Sequence, residues 1–366
     1  MKILGISLGH DTNFTLLEDG EIIEVREAER FYRKKRYKLQ CDNLEDTPVD
    51  AGFQYVNSKE LRDYLIKIRE DWGTNYDFIA VQNQQRAEEF SNLKRMLLQE
   101  EFFFGDIQNF NHHLCHAASA FFTSPFSSSL ILSYDGAGND GNTVFLKGEG
   151  NSLDYIQSLT VKFGNAYNNL GFIANLSADV SGSTAGKAMG LTSYGNHISK
   201  WEPILKNHIL TYEKKPPKIV DGLKNYGRAH NINWDHIFSI PEISQNIDGD
   251  ASSRFKNTDT TLHDFLQTAQ GAWTSCVLEL LEQFSEAYSN LCIVGGCALN
   301  GITNYAIQES GLFENTHFIP NPSDCGLSMG AALYSYYCVS DNSFEGQKKY
   351  LNPYLGEEIF DKDSLP

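Results

Sequence analysis

The chain has 366 residues, of which 41% are hydrophobic and 21% are charged, which is the balance of a globular protein and excludes wholesale disorder. Its length favours two domains or two lobes of one domain. Forty-seven acidic against thirty basic residues give a net charge of −17, which excludes a general affinity for phosphate backbones, so that any basic patch must be local.

Several features of the sequence are typical of an α/β enzyme of the cytoplasm. There is no run of 18 apolar residues, and Gly and His stand where a signal peptide would have its apolar centre in MKILGISLGH. The seven cysteines form an odd, scattered set without a CxxC pair, which argues against a disulfide framework and against a zinc knuckle. We therefore expect a cytoplasmic protein with no membrane partner.

Strand–turn–strand patterns occur twice and predict a duplicated architecture. Residues 3–25 read ILGISLGHDTNFTLLEDGEIIEV, and residues 130–147 read LILSYDGAGNDGNTVFLK. A third segment, residues 290–304, is predicted to form a strand, a Gly-Gly turn and a helix. Short apolar runs that end in small residues mark places where the backbone approaches a ligand closely. We therefore expect two lobes with a ligand between their turns.

The remaining pattern predicts helices and an insertion. Amphipathic helices are predicted over residues 58–69, after a capping serine, and over residues 261–288. Residues 200–260 are polar and weakly periodic, which favours an insertion in the second lobe. The predicted division of the chain into first lobe, second lobe and tail is 1–129, 130–350 and 351–366.

The sharpest local signal is the histidine cluster NHHLCHAASAF. His112 and His116 are four residues apart, so on a helix both imidazoles lie on one face and can reach one divalent ion. Imidazole suits zinc or iron. Two ligands do not complete a site, and Asp324, in the turn NPSDCG, is the candidate third ligand, although sequence spacing alone cannot bring it to the histidines. The alternative is a helix N-terminus whose histidines only pack.

Three turns that contain glycine are candidate nucleotide-binding loops. Their glycines would let backbone N–H groups point at phosphate oxygens. Neither the P-loop motif nor GxGxxG is present, and each turn alone is more typical of an ordinary turn than of a nucleotide-binding loop. Together, in duplicated lobes, they favour nucleotide binding. The residues concerned are Asp135, Gly136, Gly138, Gly186, Lys187, Gly295 and Gly296.

A basic run, RFYRKKRYK at residues 30–38, holds six basic and three aromatic side chains. In a protein of charge −17 this is a local asymmetry. Three interpretations stay open: a solvated loop, a clamp for the phosphate of a small anionic donor, or a contact to nucleic acid through charge and stacking.

The motifs of the chain and their order resemble those of the O-carbamoyltransferases of the NodU/CmcH type, which belong to the actin/hexokinase/Hsp70-like superfamily. The resemblance extends from residue 1 to about 356 through LGHD, EAERFYRKK, HHLCHAASAF, SYDGAGNDG, AGKAMGLTSYG, GGCALNGITN, NPSDCGLSMGAAL and NPYLG. It implies an α/β fold, the duplicated two-lobed actin-like ATPase (ASKHA) fold with a nucleotide cleft between the lobes. It also implies ATP-dependent transfer of a carbamoyl group from carbamoyl phosphate, through carbamoyladenylate, to an acceptor hydroxyl.

The resemblance further implies a set of ligands. His112, His116 and Asp324 would hold a divalent metal ion, iron or zinc, with magnesium as a further candidate ion. ATP or carbamoyladenylate would lie between the lobes, its phosphate facing Asp135 and the glycines that follow. Its adenosine would lie near the Gly-Gly turn and Asn300.

At the carbamoyl phosphate end, the resemblance implies His10, Arg33 and Lys35. His10 would remove the proton of the acceptor hydroxyl, since an imidazole titrates near the working pH. Arg33 and Lys35 would neutralise the phosphate charge that grows as the mixed anhydride breaks.

The acceptor and the wider function stay open. The acceptor is either a sugar or other small-molecule alcohol, or a hydroxymethylated pyrimidine in DNA. Many relatives continue past NPYLG into a domain that forms carbamoyladenylate, so we expect activation on a separate domain or partner protein, or in this chain. The alternatives are an enzyme like the tRNA threonylcarbamoyl transferases, which share the metal histidines, and a non-catalytic actin-like nucleotide switch, which needs no transition metal.

Overall fold

The computed structural model describes residues 1–41, 55–56, 58–82, 87–176, 183–212, 237–245, 260–348 and 351–356. Within these ranges, none of the helices has the length and apolar character needed to span a bilayer. Much of the predicted insertion and the last part of the predicted tail lie outside the described residues.

The strands and helices are numbered here in chain order. The strands are β1 (Lys2–Ser7), β2 (Asn13–Glu18), β3 (Glu21–Glu27), β4 (Lys38–Leu39), β5 (Tyr55–Val56), β6 (Asn75–Gln82), β7 (Phe103–Asn109), β8 (Ser128–Gly138), β9 (Gly141–Glu149), β10 (Ser152–Leu159), β11 (Asn290–Val294) and β12 (Asn315–Phe318). The helices are α1 (Ala28–Tyr32), α2 (Ser58–Trp72), α3 (Ala87–Gln99), α4 (His112–Phe121), α5 (Phe163–Ile173), α6 (Ala185–Leu191), α7 (Glu202–Leu210), α8 (Pro241–Ser244), α9 (Thr260–Glu282), α10 (Gly301–Glu309) and α11 (Leu327–Tyr334).

Two five-stranded sheets repeat one topology. Their orders are β3-β2-β1-β6-β7 and β10-β9-β8-β11-β12. In each sheet, the three strands that come first in the sequence pair antiparallel with one another. The two strands that come later lie parallel to the central strand, which is β1 in the first sheet and β8 in the second. The two predicted strand–turn–strand units are β1–β2 and β8–β9. The duplicated two-lobed actin-like α/β fold is therefore confirmed.

Alternating side chains on the central strands supply three separate cores. On β1, Leu4 packs against α2 and α3, whereas Ile3 faces the space between the two sheets. On β8, Leu130 faces α5 and α9, and Ile131 faces the inner space. Because successive side chains of a strand point to opposite faces, each sheet is covered on both sides.

The inner space between the sheets is filled by α4 and α11. Helix α11 packs against β1, β2 and β6 of the first sheet, whereas α4 packs against β8 and β11 of the second. Each sheet is thus covered by a helix from the opposite half of the chain. A boundary between residues 129 and 130 separates each of these two helices from the sheet that it covers. The division into 1–129, 130–350 and 351–366 stays a prediction.

Most predicted elements are confirmed, with differences at their ends. The helix predicted over residues 58–69 is α2, and the one predicted over 261–288 is α9, which ends at Glu282. Beyond that residue the chain forms turns, one of which is closed by a hydrogen bond from the Phe284 N–H to the Leu281 carbonyl. The helical periodicity persists there because Phe284 stacks on Phe145, with ring centroids 4.4 Å apart.

Candidate active site

Helix α4 brings two histidines to one buried point between the lobes. His112 is its first residue and His116 lies one turn later, and their side chains are 2% and 0% exposed. The residues that follow, Ala-Ala-Ser-Ala, are small, so α11 can approach closely. A Cβ built on Gly330 of α11 would lie 1.8 Å from the Cys115 carbonyl oxygen. Close packing of the two helices therefore fixes where the imidazoles lie.

Asp135 lies beside these histidines, which the sequence analysis did not predict. Its Oδ2 is 3.1 Å from His116 Nε2 and 3.4 Å from His112 Nε2. The register of β8 against β9 breaks between Tyr134 and Gly138, so Asp135 sits in a bulge. Bulges re-aim side chains next to functional sites. The carboxylate predicted to face a phosphate thus lies among the imidazoles.

Asparagine side chains hold the bulge in place. The Asn142 Nδ2 donates to the Gly136 carbonyl at 2.8 Å, and the Asn165 Nδ2 donates to the same oxygen. The Gly136 N–H itself donates to Asp135 Oδ1 at 2.5 Å. This N–H, predicted to point at a phosphate oxygen, is thus used within the turn, and its binding of a phosphate stays a prediction.

Asp324, which precedes the helix that covers the first sheet, completes the group, as expected. Its Oδ1 lies 3.4 Å from His116 Nε2 and 3.8 Å from His112 Nε2. It stands in a short 3-10 turn directly before α11. Asn13 of β2 fixes that turn, because its Nδ2 donates to the Asp324 carbonyl at 2.8 Å and its Oδ1 accepts from the Ser328 N–H at 3.0 Å.

The geometry of these four side chains fits a divalent metal ion. One ligand atom each of His112, His116, Asp135 and Asp324 lies within 4.8 Å of the others. Tetrahedral ligands about 2.0–2.1 Å from an ion are about 3.4 Å from one another, close to the distances above. Two imidazoles with two carboxylates suit zinc or iron. One departure is that His116 Nδ1 is buried without a partner among the described residues, whereas metal-bound imidazoles usually donate from that side.

The charges of the group stabilise one another. Burial lowers the pKa of His116, but hydrogen bonds to Asp135 and Asp324 outweigh it and raise this pKa to about 9. Burial also opposes ionisation of Asp135, yet hydrogen bonds from His112 and His116 hold its pKa well below the ordinary value. Paired carboxylates that retain a buried positive charge make a site suited to a cation.

His10 lies at the more open side of this group. Its Nε2 is 3.4 Å from Asp324 Oδ2, its Nδ1 is 2.8 Å from Asp11 Oδ2, and its side chain is 39% exposed. Burial lowers the pKa of His10, but the Asp324 and Asp11 carboxylates raise it to about 9. The structure therefore brings His10 to the group formed by His112, His116 and Asp324.

Thr12 connects the turn of His10 to the basic run. Its hydroxyl donates to the Gly9 carbonyl at 2.7 Å and accepts from the Leu39 N–H at 3.0 Å, and its own N–H donates to the Tyr37 carbonyl at 3.1 Å. The segment that ends the basic run is thus fixed to the turn that carries His10.

The basic run presents most of its charges and the Phe31 ring outward, and the Tyr32 and Tyr37 rings inward. The Arg33 and Lys35 side chains are exposed, with Arg33 in the left-handed region at φ 52°. The Tyr37 side chain is 2% exposed and donates a hydrogen bond to Glu60 of α2, and the Tyr32 hydroxyl donates to the Glu60 carbonyl at 2.6 Å. These two tyrosines are therefore committed to packing and cannot stack on a base.

The predicted nucleotide-binding glycines differ in what surrounds them. A Cβ on Gly136 or Gly186 would meet no atom within 4 Å, which leaves space for a ligand. A Cβ on Gly295, which has φ 97°, would lie 2.3 Å from the Tyr134 carbonyl oxygen, and one on Gly296 would lie 2.8 Å from Asp135 Oδ1. The last two glycines are therefore required by close approach of protein atoms.

Asn300 and Lys187 lie apart from the histidine group. Asn300 is 7% exposed, its Oδ1 caps α10 by accepting from the Thr303 N–H at 3.1 Å, and its Nδ2 donates to Gln270 at 3.0 Å. These bonds give the side chain a structural role without any nucleotide. Lys187 is exposed on α6. The nucleotide-binding assignment of both residues stays a prediction.

The comparisons with known proteins agree with this fold. A family model described as carbamoyltransferase N-terminus matches residues 2–333. The uncharacterized protein sll1178 of Synechocystis is 28% identical, over 98% of this chain and 62% of that protein. Nodulation protein U of Bradyrhizobium diazoefficiens is 26% identical, over 91% of this chain and 61% of its own length. The chain therefore spans about three-fifths of the length of these curated relatives.

Among solved structures, the crystal structure of HypF from T. kodakarensis is similar in fold. It matches 93% of this chain and 48% of that chain, with a TM-score of 0.54 and 12% sequence identity. At this identity the likeness concerns the fold alone.

Proposed function

This chain belongs to the carbamoyltransferase family, and from that premise we propose that it transfers a carbamoyl group from an activated donor to the hydroxyl of an acceptor. The observation that carries the proposal is the meeting of His10 with the group formed by His112, His116, Asp135 and Asp324. They meet beyond the carboxyl ends of β1 and β8, where open α/β sheets bind ligands.

The proposed donor is carbamoyladenylate: water releases carbamate and inorganic phosphate from carbamoyl phosphate, and the carbamate oxygen then bonds to the α-phosphorus of ATP as pyrophosphate leaves. The acceptor oxygen forms a bond to the carbamoyl carbon, the bond from that carbon to the phosphate oxygen breaks, and AMP leaves with the electron pair. A carbamoyl carbonyl is a poor electrophile because its nitrogen donates into it, so a good leaving group is needed. Gly136 and Gly186, whose α-carbons face open space, leave room for the donor.

The metal would be held by His112, His116, Asp135 and Asp324, and when bound it would polarise a carbonyl as a Lewis acid. The chain's own residues would hold the carboxylates in position and neutralise the charge on the departing phosphate. Asn13 fixes the turn of Asp324, and the asparagines at the β8 bulge fix Asp135. Such pre-organised charges stabilise a transition state without reorganisation.

His10 is the proposed acceptor of the hydroxyl proton, and because the Asp324 and Asp11 carboxylates raise its pKa to about 9, it would act in its deprotonated form, which is the minor form at neutral pH. Its Nδ1 faces Asp11 and its Nε2 faces Asp324, and its exposed fraction leaves it accessible from solvent. Arg33 and Lys35, exposed on the turn tied to His10 through Thr12, would neutralise the charge on the departing phosphate. His10→Ala is expected to reduce turnover while leaving donor binding unchanged.

A small-molecule alcohol, such as a sugar, is the acceptor that the structure favours over a pyrimidine in DNA. The net charge of −17 repels a polyanion, and two of the three aromatic residues of the basic run, Tyr32 and Tyr37, are hydrogen-bonded to α2, which leaves Phe31 as the exposed ring. A labelled duplex in rising salt tests this: binding that falls steeply with salt would indicate a phosphate contact and favour DNA. We expect no binding even at low salt.

The central experiment has two arms. In the first, the chain is incubated with carbamoyl phosphate and ATP, and pyrophosphate is measured; release would show that this chain forms the donor itself. In the second, synthetic carbamoyladenylate is supplied with an N-acetylglucosamine oligosaccharide or with DNA containing 5-hydroxymethylcytosine, and carbamoylated product is measured by mass spectrometry. We expect product in the second arm, and none with His116→Ala. Absence of both pyrophosphate and product would overturn the proposal.

Metal analysis separates this function from the actin-like switch. Protein purified without chelator is expected to contain close to one equivalent of zinc or iron, and His112→Ala protein to contain far less. Absence of metal from the wild-type protein, together with an ATP-driven change of shape, would favour the switch.

A further inference from the structure

We propose that the turn between β8 and β9 is a positioning device for the metal centre, because its Asn139 and Asp140 cap α4 while His113 fastens that helix to the same hairpin. The inference rests on the metal centre of the proposed function. It assigns roles to residues that hold no ligand themselves.

The cap of α4 comes from outside the helix. The first N–H groups of an α-helix have no acceptor within the helix. Asn111, the residue at the N-cap, makes no capping side-chain bond to α4. Instead, the His112 N–H donates to Asn139 Oδ1 at 2.9 Å and the His113 N–H donates to Asp140 Oδ1 at 3.0 Å. Two neighbouring turn residues thus hold the turn of helix that begins with His112.

Asp140 is itself held from its other side. The Tyr155 hydroxyl of β10 donates to Asp140 Oδ2 at 2.6 Å, so each carboxylate oxygen has one donor. A carboxylate at a helix N-terminus is also favoured by the helix dipole. Asn139 is anchored in the same way, because its Nδ2 donates to Asn111 Oδ1 at 2.8 Å. The cap is therefore fixed rather than free to rotate.

His113 fastens the helix to the hairpin with both ring nitrogens. Its Nε2 lies 3.1 Å from the Gly141 carbonyl oxygen, which can only accept, so Nε2 carries the hydrogen. Its Nδ1 lies 2.7 Å from the Ser133 hydroxyl, which then donates. The ring is 0% exposed. This explains why, of the three histidines in HHLCH, the middle one is not a ligand.

The hairpin also approaches the rings directly. A Cβ on Gly138 would lie 2.8 Å from His112 Cδ2 and 2.9 Å from His113 Cδ2. The same hairpin carries Asp135 in its bulge. The hairpin and α4 therefore form one unit that presents His112, His116 and Asp135 together, and Asp324 joins this unit from the turn before α11.

The test is a Co²⁺ titration of the metal-free chain, followed by visible absorption. Residues that orient metal ligands typically contribute about 10- to 100-fold in metal affinity. We expect Asp140→Ala to weaken Co²⁺ binding by about this factor, and Asp140→Asn, which keeps an oxygen acceptor for the helix, to restore most of it. The matched control is Asp154→Ala on β10, since Asp154 is exposed and bonds only to Ser152 among the contacts described for it.

The outcomes separate the alternatives. Unchanged Co²⁺ affinity in Asp140→Ala overturns the inference. This holds even if the urea midpoint of the metal-free variant falls, because a cap with a purely structural role would lower stability without changing Co²⁺ affinity. Failure of the wild-type chain to bind Co²⁺ overturns the metal centre of the proposed function instead. If Asp140→Ala does not fold, Tyr155→Phe provides the measurement, with weaker binding expected and unchanged binding contradicting the inference.

Discussion

Replacing Gly330 by alanine is expected to separate α4 from α11, and the structure gives the size of the effect. The added Cβ would lie 1.8 Å from the Cys115 carbonyl oxygen, whereas ordinary contact begins at 3.4 Å, so the backbones must separate by the difference, 3.4 − 1.8 = 1.6 Å. Overpacking of this kind costs about 1–3 kcal/mol of unfolding free energy. Because Asp324 stands directly before α11 and His116 lies on α4, the separation also moves these two proposed metal ligands apart.

Two measurements check this prediction. Urea unfolding, followed by circular dichroism in EDTA, gives the loss of stability, and a Co²⁺ titration gives the loss of affinity. Ligand positions tolerate displacements of only about 0.2 Å, so we expect Co²⁺ affinity to fall by an order of magnitude or more. The control is Gly190→Ala in α6, where a Cβ would meet nothing within 4 Å and stability should stay equal or rise by up to about 1 kcal/mol. Wild-type stability and affinity in Gly330→Ala would refute the close helix crossing.

Three further predictions concern other parts of the chain. Asn300→Ala removes the cap of α10 and a partner of Gln270, so the unfolding free energy should fall by about 1–3 kcal/mol without nucleotide; an unchanged urea midpoint would contradict this. Thr12→Val keeps the side-chain shape but loses two hydrogen bonds, so the Leu39 amide should exchange with deuterium faster than in the wild-type chain. Burial lowers the pKa of His317 from 6.5 to about 4, so the folded state resists its protonation and stability should decline as pH falls through this window; His317→Gln should reduce that decline, and an identical pH profile would rule out the contribution.

Local periodicity explains which parts of the site the sequence predicts. The i, i+4 spacing of His112 and His116 places both rings on one face of any helix, and alternation predicts the strands on either side of each turn. The approach of Asp324 is not local, since Asn13, more than 300 residues away, holds its turn. Only the resemblance to a family indicated that contact, which the structure then confirms.

The position of Asp135 beside the imidazoles and the different surroundings of the glycines have one cause, which is contacts between residues distant in the sequence. Asp135 faces the imidazoles because asparagines on β9 and α5 hold a bulge, and no spacing in DGAG reports such distant bonds. A glycine that leaves room for a ligand and one that avoids a clash also look alike in a sequence. Gly136 is of the first kind, whereas Gly138 and Gly295 are of the second.

The exchange of α4 and α11 between the sheets has a consequence for biosynthesis. As the chain emerges from the ribosome, β1, β2 and β6 are made early, but among the described residues the helix that packs against all three of these strands is α11, Leu327–Tyr334. The apolar face that α11 covers stays exposed until this helix has been translated, and the contacts that close it span more than 300 residues. Contacts of such sequence separation form slowly, so the nascent first lobe is the stage most exposed to aggregation and to chaperone binding.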